Sequence, residues 1–138
     1  MTPVAPISQS VRLAVVGAHL RGQPLNAQLT NLNARFAEQC MTQASYRLFA
    51  LEGTVPPKPG LEFVREGGAA IEVEVWELGV AEFGAFVAAV PPPLAIGTVF
   101  LESGEAVKGF VCEPFALRGT KDISHFGGWR NYVAALKK

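Results

Sequence analysis

The chain has 138 residues, enough for one domain with its own core, and 49% of them are apolar. Twelve Lys and Arg balance twelve Asp and Glu with no block of either sign, which excludes a strongly basic nucleic-acid footprint and a polybasic membrane surface. The apolar stretches are too short for a membrane-spanning helix, and Cys40 and Cys112 lack metal or disulfide spacing and read as reduced core thiols.

Residues 1–10 carry two prolines and no periodicity, and are expected to be a flexible lead-in. They lack the basic start and apolar centre of a signal peptide, so a cytoplasmic location is expected. Residues 11–138 are expected to form one domain. Leu13-Ala14-Val15-Val16 is an apolar run of strand length that ends on Gly17. Backbone N–H groups in a tight turn after such a strand can point into one concavity and bind an anion. His19 stands in that turn and is one of two histidines in the chain.

Gln23-Pro24 opens a predicted helix, since Leu25, Leu29, Leu32, Phe36 and Cys40 recur at intervals of three and four. A strand is expected over 45–51. The prolines of Gly53-Thr54-Val55-Pro56-Pro57-Lys58-Pro59-Gly60 predict a stiff, extended loop. It either positions Thr54 and Lys58 for a site or serves as a plain connector. Strands over 61–65 and 70–78 flank a turn at Glu66-Gly67-Gly68. Glu72 and Glu74 share a face with Trp76, as a carboxylate pair of a site or, more commonly, as the wet face of an antiparallel strand.

Phe83, Phe86, Val87 and Val90 predict a helix over 80–90, stopped by Pro91-Pro92-Pro93. Residues 97–102 and 106–112 predict a hairpin about Ser103-Gly104, and 113–120 read as irregular. A last helix is predicted over 128–136, with Trp129, Tyr132, Val133 and Leu136 inward. His125 and Arg130 flank Gly127-Gly128, a glycine pair that marks a turn, and they are either structural or an anion clamp. Trp76 and Trp129 are expected in the core. Short strands outnumber helices, so the fold class is α+β, with a small, curved or barrel-like, mostly antiparallel sheet and helices packed against it.

Several of these stretches together resemble a known family. They are Val16-Gly17-Ala18-His19-Leu20 with Gly22-x-Pro24-Leu25-Asn26-x-Gln28-Leu29, then Tyr46-Arg47-Leu48 and Gly53-Thr54-x-Pro56-Pro57-Lys58-Pro59-Gly60. Gly68-Ala69-Ala70-Ile71-Glu72-Val73-Glu74-Val75-Trp76, Ile96-Gly97-Thr98-Val99, Val107-Lys108-Gly109-Phe110 and Phe126-Gly127-Gly128-Trp129-Arg130 complete the set. The chain resembles the C-terminal domain of allophanate hydrolase over nearly all its length after the first ten residues. The resemblance implies a γ-glutamylcyclotransferase-like fold, in which a loop standing where Val16 to Leu20 stand holds the substrate through backbone amides. It also exposes a departure. Counting forward from Val75-Trp76 puts Val90, followed by Pro91, where the cyclotransferases carry a general-base glutamate, and a valine takes no proton. Glu72, Glu74 and Glu77 are the carboxylates that a relocated base would have to use.

In allophanate hydrolase an amidase domain releases ammonia from allophanate, and the C-terminal domain is thought to decarboxylate the resulting N-carboxyurea. No amidase portion is present, so the chain is expected to be a free-standing version of the second domain. Its expected activity is decarboxylation of N-carboxyurea or a related small N-carboxylated amide in urea and amide nitrogen metabolism. The leaving nitrogen needs a proton, for which an imidazole is suited, so His19 is the expected catalytic residue. Gly17, Ala18 and Leu20 are expected to bind the substrate through the turn, with Lys58 adding positive charge, Tyr46 a hydroxyl, and Thr54 and Arg130 further polar contacts. No cofactor, metal, nucleic-acid or membrane partner is expected. The ligand is a small carboxylate or ureide, and assembly with a separate amidase subunit or as a homodimer is left open. Two other readings stay open: a non-catalytic carboxylate-binding or amidase-associated module, and a cyclotransferase-like acyl enzyme with a relocated base.

Overall fold

The computed structural model describes residues 9–137. The expected lead-in falls on residues 1–8, outside the described residues, and position 10 already belongs to the first strand. That strand, β1 (Ser10–Val15), is central: it pairs antiparallel with β5 (Glu72–Gly79) and parallel with β7 (Ala106–Cys112). Leu13, Ala14 and Val15 are consecutive and all buried, so both faces of this strand are covered. β2 (Arg35–Met41) adds to the far side of β5, and β6 (Leu94–Phe100) closes a hairpin with β7. The five-stranded order is β2-β5-β1-β7-β6. A second sheet sets β3 (Tyr46–Ala50) between β4 (Pro59–Phe63) and β8 (Lys121–Asp122).

The two sheets enclose one core. Leu13, Tyr46, Leu48, Ile71, Val73, Leu101 and Ile123 are all sealed from solvent within it. The bridge Thr42↔Leu101 brings together the ends of β2 and β6, the two edges of the five-stranded sheet, and Tyr46↔Ala69 ties β3 to the segment before β5. The Tyr46 hydroxyl accepts a 2.9 Å hydrogen bond from the Phe100 N–H, so this side chain is a pillar between sheets and lies outside the candidate site. α2 (Val80–Ala88) follows β5 directly and buries Phe86, and α3 (Trp129–Leu136) buries Trp129. Trp76 and Trp129 are both core residues, as expected. The α+β, mostly antiparallel architecture is the one read from the sequence.

The long helix expected from Gln23 does not form. α1 is a single turn, Ala27–Thr30, and residues 35–41 are the edge strand β2. Asn33 takes a left-handed conformation (φ 60°) that breaks the helix; asparagine enters that region more readily than most side chains. Phe36 then packs edge-on against Trp76 of β5, with ring centroids 5.6 Å apart. A tertiary partner thus overrides a helical spacing that was real in the sequence. Three smaller expectations also shift. The strand placed at 61–65 runs from Pro59 to Phe63, Leu136 points outward, and Glu74 is wholly buried instead of wet.

Among the described residues, no helix is long and apolar enough to cross a membrane. Replacing Tyr46 by Phe removes the acceptor for the Phe100 N–H. The expected result is a loss of about 1 kcal/mol in stability by denaturant unfolding, with anion binding at the turn after β1 unchanged.

Candidate functional site

The turn that leaves β1 is fixed from within and from two neighbours. Inside it, the Leu20 N–H donates to Gly17 O (3.0 Å), the Leu25 N–H to Ala18 O (2.8 Å), and the Asn26 side-chain amide to His19 O (2.8 Å). Among the described residues, the N–H groups of Gly17, Ala18 and His19 meet no acceptor. Leu20 therefore differs from the expectation, because its amide is consumed inside the turn and its side chain is sealed in the core. Gly17 is needed for a reason other than its torsion. A Cβ there would stand 2.2 Å from Pro59 Cδ, so only glycine lets the proline ring pack onto the strand end.

The second support is a buried carboxylate. Glu74 Oε1 accepts from the Arg21 N–H (3.0 Å) and Trp76 Nε1–H (3.1 Å), and Oε2 accepts from Arg21 Nε–H (3.0 Å) and Arg130 Nη2–H (2.6 Å). Arg130 Nη2 also donates to Arg21 O (2.8 Å), and the Arg21 guanidinium lies 3.8 Å over the Phe36 ring. Burial pushes the Glu74 carboxyl up, but the hydrogen bonds from Arg130, Arg21 and Trp76 outweigh it and hold the group below its ordinary range. The stability from this pairing is therefore full above the ordinary carboxyl range and fades as acid protonates Glu74.

Between the turn, α1, α2 and the loop after β3 opens a cavity of about 160 Å³. It continues into a cleft of about 10 Å³, roughly one water, against Val16, Gly17 and Ala18. His19, Lys58, Leu94 and Phe110 line both spaces. Phe86, Val90 and Leu25 complete the apolar side, and Gln28 the polar side. None of the lining residues is acidic.

His19 is 7% exposed, stacked on Phe110 (5.0 Å, 17°) and edge-on to Phe86 (5.2 Å). Its Nε2 lies 2.8 Å from Gln28 Oε1, which requires a proton on Nε2 and leaves Nδ1 as the second ring nitrogen. Burial lowers the imidazole's proton affinity; the Gln28 hydrogen bond raises it, and the positive charge of Lys58 lowers it further. Lys58 is 8% exposed, and its ammonium meets no carboxylate and no hydrogen-bond acceptor among the described residues. Arg130 Nη1 is there the sealed side-chain nitrogen without a partner, so the unpaired Lys58 Nζ and His19 Nδ1 front the open cavity.

The remaining expected site residues lie elsewhere. Thr54 Oγ1 accepts the Lys58 backbone N–H (2.9 Å), so it shapes the loop and does not line the cavity. Arg130 is engaged by Glu74, Glu72 and Arg21, away from the cavity, and His125 is exposed against Phe126. Gln28 was not foreseen as a site residue. Its signal is its spacing three residues after Leu25, which also lines the cavity, within the stretch Pro24-Leu25-Asn26-x-Gln28-Leu29 that follows the His19 turn.

Comparison with known proteins gives the family. The allophanate hydrolase C-terminal domain family matches residues 11–134. The chain belongs to that family. The urea amidolyase of Saccharomyces cerevisiae is 48% identical over 135 residues, which are 95% of this chain and 7% of that protein. The crystal structure of Kluyveromyces lactis allophanate hydrolase superposes with a TM-score of 0.89 at 44% identity, over 99% of this chain and 23% of the other. A protein specific to uropathogenic E. coli shares 34% identity and a TM-score of 0.84, over 91% of this chain and 96% of its own. The chain thus spans a small part of the curated relatives and nearly the whole of the E. coli protein.

Lys58 and the three turn amides that meet no acceptor among the described residues can together hold one small anion. Lys58→Met is expected to weaken acetate binding in an NMR titration by about tenfold, the size of one charge-assisted contact, with an unchanged melting temperature. Gly17→Ala is expected to cost about 1–3 kcal/mol in thermal unfolding, because the Pro59 ring has to yield.

Proposed function

We propose that this domain decarboxylates a small N-carboxylated amide as the second step of allophanate breakdown in urea nitrogen metabolism; hydrolytic loss of ammonia from allophanate leaves N-carboxycarbamate, whereas the expected N-carboxyurea is allophanate itself. The observation that carries the reading is the largely buried Lys58 side chain, whose ammonium meets no acceptor among the described residues, lining one small cavity with the turn after β1 and the His19 imidazole. One substrate carboxylate sits between Lys58 and the N–H groups of Gly17, Ala18 and His19. The nitrogen and the second carboxylate lie toward the His19 ring and Gln28.

In the reaction the carbon–nitrogen bond to the carboxylate breaks and its electron pair goes to nitrogen. His19 Nδ1–H delivers the proton that this nitrogen takes, giving carbamate and carbon dioxide. Solvent at the open mouth of the cavity returns the proton to Nδ1. In the empty site, burial and Lys58 hold the imidazole neutral near pH 7. A bound carboxylate offsets Lys58 and favours the imidazolium, so substrate loads its own acid. The apolar wall of Phe86, Val90, Leu94 and Phe110 is suited to the neutral carbon dioxide that leaves. A cyclotransferase mechanism is disfavoured, because no carboxylate lines the cavity and Val90 stands where the base is needed. Glu72, Glu74 and Glu77 are instead engaged by Arg130, Arg21, Arg12 and Arg35. Cooperation with an amidase, in the same or a separate subunit in the cytoplasm, supplies the substrate.

The test follows carbon dioxide release while an amidase generates N-carboxycarbamate from allophanate. Wild-type protein is expected to accelerate release above the uncatalysed rate, and His19→Ala to lose about 10²-fold or more of that acceleration. Because the acid form is required, kcat/KM is expected to fall as pH rises through a free-enzyme limb below 6.5. The limb in kcat lies higher, since the bound carboxylate raises the imidazole's proton affinity. Wild type no faster than background, or His19→Ala as fast as wild type, contradicts the proposal.

A further inference from the structure

We infer that Gln28 is a positioning residue that assigns the two nitrogens of His19, holding Nε2–H and reserving Nδ1 for proton exchange with the ligand. The inference deepens the proposed reaction and rests on it for the identity of the ligand, but the assignment itself is a property of the protein. Gln28 is the second residue of a short turn of helix whose place is set by Leu29, wholly buried in the core, and by Asn26, whose amide holds His19 O. The turn that carries His19 and the helix that carries Gln28 are therefore tied together at the backbone. The 2.8 Å contact follows from that tie.

The ring has little freedom to choose otherwise. Phe110 stacks on one of its faces and Phe86 meets it edge-on, so rotation that would exchange the nitrogens has to displace aromatic side chains. Phe110 comes from β7, Phe86 from α2, Gln28 from α1 and Lys58 from the loop after β3. Lys58 is the one charged side chain among these groups, and the neighbouring Arg21 is turned away to Glu74. An acceptor that is neutral, as Gln28 Oε1 is, fixes the Nε2 proton without pinning the ring as a permanent cation. A carboxylate at the same place would form an ion pair with the imidazolium and hold its proton too strongly to give it up.

The experiment compares the wild type with Gln28→Glu and Gln28→Leu. Gln28 is on the surface side of its helical turn, so neither substitution opens the core. The first readout is the His19 titration and tautomer, followed by imidazole ¹⁵N and ¹H NMR on the ligand-free protein. Wild type is expected to show the Nε2–H tautomer. Gln28→Glu is expected to raise the midpoint by about 1 pH unit or more, the usual effect of an adjacent opposite charge, and Gln28→Leu to lower it and mix the tautomers. The second readout is the falling limb of kcat against pH, which should move in the same directions. A midpoint and tautomer unchanged in both variants overturn the inference. If the NMR midpoint moves and the kcat limb does not, the assignment by Gln28 stands and His19 is not the acid of the proposed reaction.

Discussion

The structure depends on one buried carboxylate. Glu74 projects from the centre of β5, has no exposure to solvent, and collects four hydrogen bonds from Arg21, Arg130 and Trp76. Leaving such a carboxylate unpaired in the interior would be strongly destabilising, so the guanidinium groups have to come to it. In doing so they join the central sheet, the last helix and the turn after β1 at one point. His19 lies two residues before Arg21 and inherits that fixed position. The chemistry near the strand end is thus set by a charge that touches none of it.

A second division lies inside the cavity. One side carries the groups that can hold or protonate an anion: free turn amides, Lys58 and His19. The other is apolar, with Phe86, Val90, Leu94 and Phe110 and no carboxylate. Val90 lies on that second side and takes no proton. A site with an anion receptacle, one imidazole and no base is suited to a reaction that consumes a proton and releases a neutral gas. The domain makes up 7% of the yeast amidolyase, whereas the E. coli relative is a chain of nearly this extent. The cavity described here is formed entirely by residues of this one domain.

Much of this was legible in the sequence where local chemistry and tertiary demand agree. The strand ending at Gly17, the hairpin about Ser103-Gly104 and the proline-stopped helix before Pro91 all read correctly, because their signals are steric and local. His19 and Lys58 stood out as the histidine of a turn and the lysine of a stiff loop, and both line the cavity. The misreadings share a cause. Phe36 and Cys40 fit a helical stripe only because an edge strand beside β5 also wants apolar residues at those places. Glu74 read as a solvated residue because its partners, Arg21 and Arg130, come from positions 53 residues before it and 56 after it. Tyr46 and Arg130 are polar residues used to join elements, a role that no spacing along the chain announces.

The central claim is that the turn amides and Lys58 form the carboxylate seat, with the reacting nitrogen of the ligand toward His19 and Gln28. The most direct measurement is a crystal structure with malonamate, in which a methylene replaces the nitrogen to be protonated and an amide stands in for the second carboxylate. The account predicts its carboxylate against the Gly17, Ala18 and His19 N–H groups and Lys58 Nζ, and its methylene facing His19 Nδ1. Malonamate bound in the reverse orientation, or at another place with this cavity empty, would contradict it.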